Sequence, residues 1–263
     1  MKILVKYNEK FLKIPVNKIN EIISKYDKED IIKGYELEIK SLKRGEINKF
    51  EEIVDSLKEN KKIFQIKGIP LGENILMHYD FLEFYNKLAI KLGKKILVTY
   101  EPIVTDDKND SIYKTNVILK RILKHIKDNE YKLDVSIQNI DDERKEFTPF
   151  DVINTLKIVN GLGFSFNIGN NYLKENSNYD LNNALVKKLK SVTIKNIADI
   201  NYVRYSNIDF DKLFYYLNEI GYKKTLVVDL DFDKIKGEDL ENKIIKGIIQ
   251  LENLNKIIKS YQI

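Results

Sequence analysis

Leu133-Asp134-Val135-Ser136-Ile137 is a short apolar, β-rich run, and Gly163-Phe164-Ser165-Phe166-Asn167-Ile168 is another. Between them, Thr148-Pro149 has the form of a helix cap followed by a first-turn proline. Val152, Ile153, Leu156 and Val159 then recur at helical spacing, and Gly161 supplies the stop. A strand, an amphipathic helix and a second strand in that order form one unit of a parallel sheet.

Six more apolar segments continue the rhythm outward on both sides. They are Ile3–Tyr7, Tyr35–Ile39, Ile63–Ile69, Ile96–Tyr100, Ser191–Ile197 and Thr225–Leu230. Eight strand-like segments, each followed by a helical stretch, in 263 residues predict a single (β/α)8 TIM barrel over residues 1–263. The helical stripes repeat the pattern. Pro15 reads as a first helical residue ahead of Ile19, Ile22, Ile23 and Tyr26, and Phe50, Ile53, Val54 and Leu57 mark the second helix. Leu213, Tyr216, Leu217 and Ile220 end at Gly221, and Ile244, Ile245, Ile248 and Leu251 form the last stripe. All are assigned to the core. Residues 106–113 and 171–179 read as longer polar connections, which in such a barrel lie on the face that carries function.

Composition narrows the classes. The 45 basic and 40 acidic residues leave a net charge of +5, scattered over predicted helices without the clustered patch that nucleic acid requires. No run of eighteen apolar residues predicts a membrane span. The start, Met1-Lys2-Ile3-Leu4-Val5-Lys6, leads into the first strand without an apolar leader, and a cytoplasmic location is expected. With no cysteine there is neither a thiolate metal site nor a cysteine nucleophile. The source favours Lys, Ile and Asn, and oligomeric state is not legible.

The strand exits carry the chemistry. The fifth strand ends in Ser136-Ile137-Gln138-Asn139, and the sixth in Phe166-Asn167-Ile168-Gly169-Asn170. The seventh gives Thr193-Ile194-Lys195-Asn196-Ile197-Ala198-Asp199, and the eighth follows Gly221-Tyr222 with Val227-Val228-Asp229. In that order they resemble the xylose-isomerase-like barrels, which include sugar-phosphate isomerases and epimerases and endonuclease-IV-type repair enzymes. That family ends the corresponding strands in Glu-Asn, Asp-x-Gly-His or Asp-x-Gly-Asn, His-x-x-Asp, and Glu. The resemblance implies that Gln138, Asn167, Asn196 and Asp229 stand where the family binds a divalent metal. Three of the four are amides here, and the fourth is a shorter carboxylate. An amide brings one neutral carbonyl oxygen and Asn brings no imidazole nitrogen, so no bound metal or other cofactor is expected. Only two histidines occur, His78 and His125, both expected to be structural or exposed, which argues against the endonuclease branch.

What remains is a polar mouth. Glu101, Lys67 and Asp229 are the candidate catalytic groups, able to act as a metal-free acid–base set in a semi-buried setting. Gln138, Asn139, Asn167, Asn170 and Asn196 are the candidate substrate-binding groups, since amides both donate to and accept from neutral hydroxyls. Tyr7 and Glu38 close the first two strands. Strand alternation sets Lys195 and Asn196 on opposite faces, with Asn196 inward in the family register, which disfavours a Schiff-base lysine at 195. Three functions follow: a sugar- or polyol-binding barrel with weak or no turnover, an active metal-independent isomerase or epimerase, and a non-catalytic interaction scaffold.

Overall fold

A computed structural model describes residues 1–7, 14–59, 63–142, 145–168, 183–197, 210–230, 235 and 239–261, with the side chains of 57–59, 141–142, 145–146, 195–197 and 211 outside the description. The strands are β1 (Lys2–Tyr7), β2 (Ile32–Glu38), β3 (Ile63–Lys67), β4 (Ile96–Tyr100), β5 (Leu133–Gln138), β6 (Ile140–Asp142), β7 (Lys145–Phe147), β8 (Gly163–Ile168), β9 (Leu189–Ile197) and β10 (Thr225–Leu230). Eight of them close into a barrel in the order β1-β10-β9-β8-β5-β4-β3-β2. Every pairing in the barrel is parallel. The helices that follow are α1 (Val16–Tyr26), α2 (Arg44–Glu59), α3 (Ile75–Leu92), α4 (Lys108–Asp128), α5 (Pro149–Ile158), α6 (Asn183–Lys188), α7 (Phe210–Glu219) and α8 (Leu240–Ser260). The chain is a single (β/α)8 barrel.

The sequence dictates these elements locally. Thr148 caps α5 as expected: its hydroxyl accepts from the Asp151 N–H, the Asp151 carboxylate accepts from the Thr148 N–H, and Pro149 opens the helix. Gly161 and Gly221 follow α5 and α7 at φ +84° and +67°, the left-handed region where a side chain would be strained. Ile19, Ile22 and Ile23, then Phe50, Ile53 and Val54, and later Ile244, Ile248 and Leu251 are buried as the stripes required.

One expectation needs correction. The polar connection predicted for 106–113 is mostly helix, because Asp107 caps α4 by accepting from the Asn109 and Asp110 N–H groups. From the first turns of α4, the Ser111 and Thr115 hydroxyls accept from the Thr105 and Ile103 N–H groups and fix the shorter 101–107 connection. An antiparallel hairpin, β6 with β7, was also unforeseen, since three-residue strands leave too short a pattern to read. The predicted connection at 171–179 lies outside the described residues.

Strand alternation divides the barrel into an outer core and a lumen. Ile3, Val5 and Tyr7 of β1 join the core between strands and helices. The lumen is polar in its middle. Thr99, Ser136, Ser165 and Ser191 form a hydroxyl cluster, with Thr99 Oγ1 3.0 Å from Ser136 Oγ and 3.2 Å from Ser165 Oγ. Ser165 Oγ is 2.7 Å from both Ser136 and Ser191. Because β4 and β8 are not neighbours, the Thr99–Ser165 contact passes through the lumen.

Candidate functional site

Two lysine–carboxylate clusters sit at the C-terminal ends of the strands. On one side, Lys67 Nζ donates to Glu101 Oε1 at 2.7 Å, and Gln138 Nε2 donates to the same oxygen at 2.8 Å. These three predicted residues, from β3, the exit of β4 and the end of β5, are thus brought together. On the other side, Lys6 Nζ donates to Asp229 Oδ2 at 3.1 Å and lies 3.5 Å from Glu38 Oε2. The side chains of Lys6, Glu38 and Asp229 are 12%, 19% and 18% exposed, so the cluster is largely shielded yet reachable from the mouth.

Beneath both clusters lies Glu36, buried in the lumen, with its Oε2 accepting from Gln65 Nε2 at 2.7 Å. Burial raises the Glu36 carboxyl above the ordinary range, and the attraction of Lys67 and Lys6 opposes that rise. Lys6 responds the other way: burial lowers its ammonium, but Asp229, Glu38 and Glu36 outweigh burial and hold it above the usual lysine value. Lys6 is therefore a fixed positive charge at neutral pH.

The amides fall into two roles. Asn139 Nδ2 donates to the Asn167 carbonyl at 2.8 Å, while its Oδ1 accepts from the Asn167 N–H at 2.8 Å. That side chain extends the β5–β8 ladder by one rung, so its polar atoms are committed to backbone. Asn167 is different. Its Nδ2 donates weakly to the Asn139 carbonyl at 3.5 Å, and its buried Oδ1 has no hydrogen-bond partner among the described residues. An unsatisfied buried carbonyl costs about 1–3 kcal/mol and stands ready to accept from a ligand hydroxyl.

Asp229 opposes a bulge: Val228 pairs with Ile194 and Leu230 with Ile197, so Lys195 and Asn196 face a single residue of β10. Simple alternation, which set Asn196 inward and Lys195 outward, does not apply across such a bulge. The Asn196 side chain and all of Asn170 lie outside the described residues. Tyr7, grouped with the mouth by position, instead packs edge-on against Tyr35 at 5.7 Å in the outer core. Its neighbour Lys6 takes the inward place.

Both histidines are accounted for. His78 is fully buried on α3, its Nε2 accepting from the Gly72 N–H at 3.2 Å, and burial lowers its pKa. His125 stacks on Tyr79 at 4.0 Å on the helical exterior. Among the described residues, no three His, Cys, Asp or Glu side chains are gathered so that they could hold a metal ion. Among them, too, no helix is long and apolar enough to cross a membrane.

Sequence reading missed Lys6, Glu36 and Gln65. The signal was present: Leu4 and Lys6, like Glu36 and Glu38, share a face by alternation, and a charge at the last inward position of a barrel strand belongs to the mouth.

No family profile and no curated protein sequence matches the chain. Similarity appears in solved structures. A D-tagatose 3-epimerase-like protein aligns with TM-score 0.67 at 15% identity over 99% of each chain. An IolI protein solved with a bound zinc atom aligns with TM-score 0.64 at 14% identity, again over 99% of each chain. An AP endonuclease of family 2 from Brucella melitensis aligns with TM-score 0.64 at 11% identity, over 92% of this chain and 96% of its own. Sugar epimerase-like and endonuclease neighbours alike share the architecture, so what these likenesses establish is the fold alone: a (β/α)8 barrel.

Proposed function

We propose that this barrel binds a neutral, polyhydroxylated ligand of sugar or polyol type at a metal-free mouth, with weak or no isomerase turnover. The observation that carries the reading is the Lys6–Asp229 ion pair at 3.1 Å. Of the four positions matching the family's metal ligands, Asp229 alone is a carboxylate, and a lysine already neutralises it. A divalent ion does not fit this set: it would have to displace an ammonium and bind amides, one of which, Gln138, is turned toward Glu101. The partnerless Asn167 Oδ1 and the partly open Glu101 carboxylate are acceptors for ligand hydroxyls. The epimerase-like neighbour supports a carbohydrate as the ligand class, by fold analogy.

Calorimetric titration with D-tagatose, D-fructose, sorbitol and myo-inositol, all in excess EDTA, tests this. Binding of one of them that weakens in Glu101→Gln supports the reading. Binding that appears only when EDTA is replaced by Mn2+ overturns it.

A second reading has its own observation. Lys67 and Glu101 at 2.7 Å form an acid–base pair at the strand ends, which suits metal-independent proton transfer beside a carbonyl. Conversion of a bound ketose in EDTA, lost in both Glu101→Gln and Lys67→Met, would favour it.

A further inference from the structure

We infer that Lys6 is a resident cation: its ammonium takes the place of the family's divalent metal, excludes such a metal, and supplies the positive charge for a ligand oxygen. The inference rests on the metal-free reading above and names the residue that enforces it.

The geometry supports this in three ways. Lys6 Nζ is held between two carboxylates from the strands on either side of β1, Asp229 at 3.1 Å and Glu38 at 3.5 Å. The ammonium therefore has two anchors and one remaining N–H direction. The site is also shielded, with Lys6 only 12% exposed, so its field is weakly screened and acts on whatever enters. Finally, Lys6 stands beside buried Glu36 in the β1–β2 register, and both Lys6 and Lys67 attract its carboxylate, which ties the two clusters into one charged floor under the mouth. A single charge with directional donors suits a hydroxyl or carbonyl oxygen. It does not suit the chelation by two adjacent oxygens that a divalent ion offers.

Two features each work against a divalent ion here, the amides at 138 and 167 and the ammonium of Lys6. If the amides at 138 and 167 were the whole reason, removing Lys6 would change nothing. If Lys6 is the barrier, its removal frees Asp229 and Glu38 for a cation.

The test is Mn2+ titration, followed by the electron paramagnetic resonance of free Mn2+, on the parent, Lys6→Arg, Lys6→Gln and Lys6→Met. Lys6→Gln keeps hydrogen-bond donors toward Asp229 and guards against misfolding of the Lys6→Met protein; circular dichroism reports which variants are folded. The parent and Lys6→Arg are expected to leave Mn2+ free, while the folded neutral variants gain affinity by about tenfold or more. A folded neutral variant that binds Mn2+ no better than the parent overturns the role of Lys6 and leaves the metal-free reading intact. Tight binding by the parent overturns both.

Discussion

Replacing Lys67 by Met probes the mouth most sharply. The Lys67 side chain is 8% exposed and donates to Glu101 at 2.7 Å. Removing one partner of a buried pair costs about 3–5 kcal/mol. Here Glu101 is 28% exposed and keeps its bond from Gln138, so its share falls toward the lower end. Glu36 adds a second loss, because Lys67 is the foremost attraction opposing the effect of burial on its carboxyl. Together these predict a destabilisation of about 2–4 kcal/mol at neutral pH. The sign with pH follows. Glu36 has a raised folded pKa, so the native state holds its proton more tightly than the unfolded chain, and stability is lost as pH rises above the ordinary carboxylate range. Without Lys67 that loss grows, so the variant should suffer more near about pH 8 than near about pH 5. Urea unfolding at both pH values, in a double-mutant cycle with Glu36→Gln, measures this. A coupling of about 1 kcal/mol or more between positions 36 and 67 at the higher pH is expected. Additive variants, or a Lys67→Met cost within about 0.5 kcal/mol of zero, would refute the charged floor.

Glu36→Gln alone should flatten the parent's decline in unfolding midpoint between about pH 5 and 8, and an unchanged slope would mean that Glu36 does not titrate there. Asn139→Ala strands the N–H and carbonyl of Asn167 and should cost about 2–3 kcal/mol, read as several degrees in thermal unfolding. A neutral change would free Asn139 for a ligand role instead. Thr148→Ala should cost about 1 kcal/mol through loss of the capping box, with Thr148→Ser close to the parent.

The barrel was legible because its eight strands and helix stripes are written in local periodicity, which needs no knowledge of partners. Ile96–Tyr100, Gly163–Ile168 and Thr225–Leu230 carry the same bounds in sequence and structure. The mouth was legible only in part. Lys67, Glu101 and Gln138 were named separately, and their convergence on one carboxylate oxygen depends on register between three strands. Tyr7 is the last residue of β1 and so draws attention by position, but alternation makes its neighbour Lys6 the last inward one. Asn139 shows the converse: an amide at a strand exit suits a ligand by its chemistry, while here its atoms bond the Asn167 backbone and complete the ladder. The bulge opposite Asp229 could not be read at all, since one extra residue leaves no compositional mark.

The central claim is a mouth that carries its own cation and takes no divalent metal. Thermal unfolding of the unmodified protein in EDTA, and then in millimolar Mn2+, Zn2+ or Mg2+, tests it most directly. A metal present at about 100 times its dissociation constant would stabilise by about 2.7 kcal/mol and lift the midpoint by several degrees. The account predicts the same midpoint in all four solutions. A rise of several degrees with any one metal, abolished by Asp229→Asn, would contradict it.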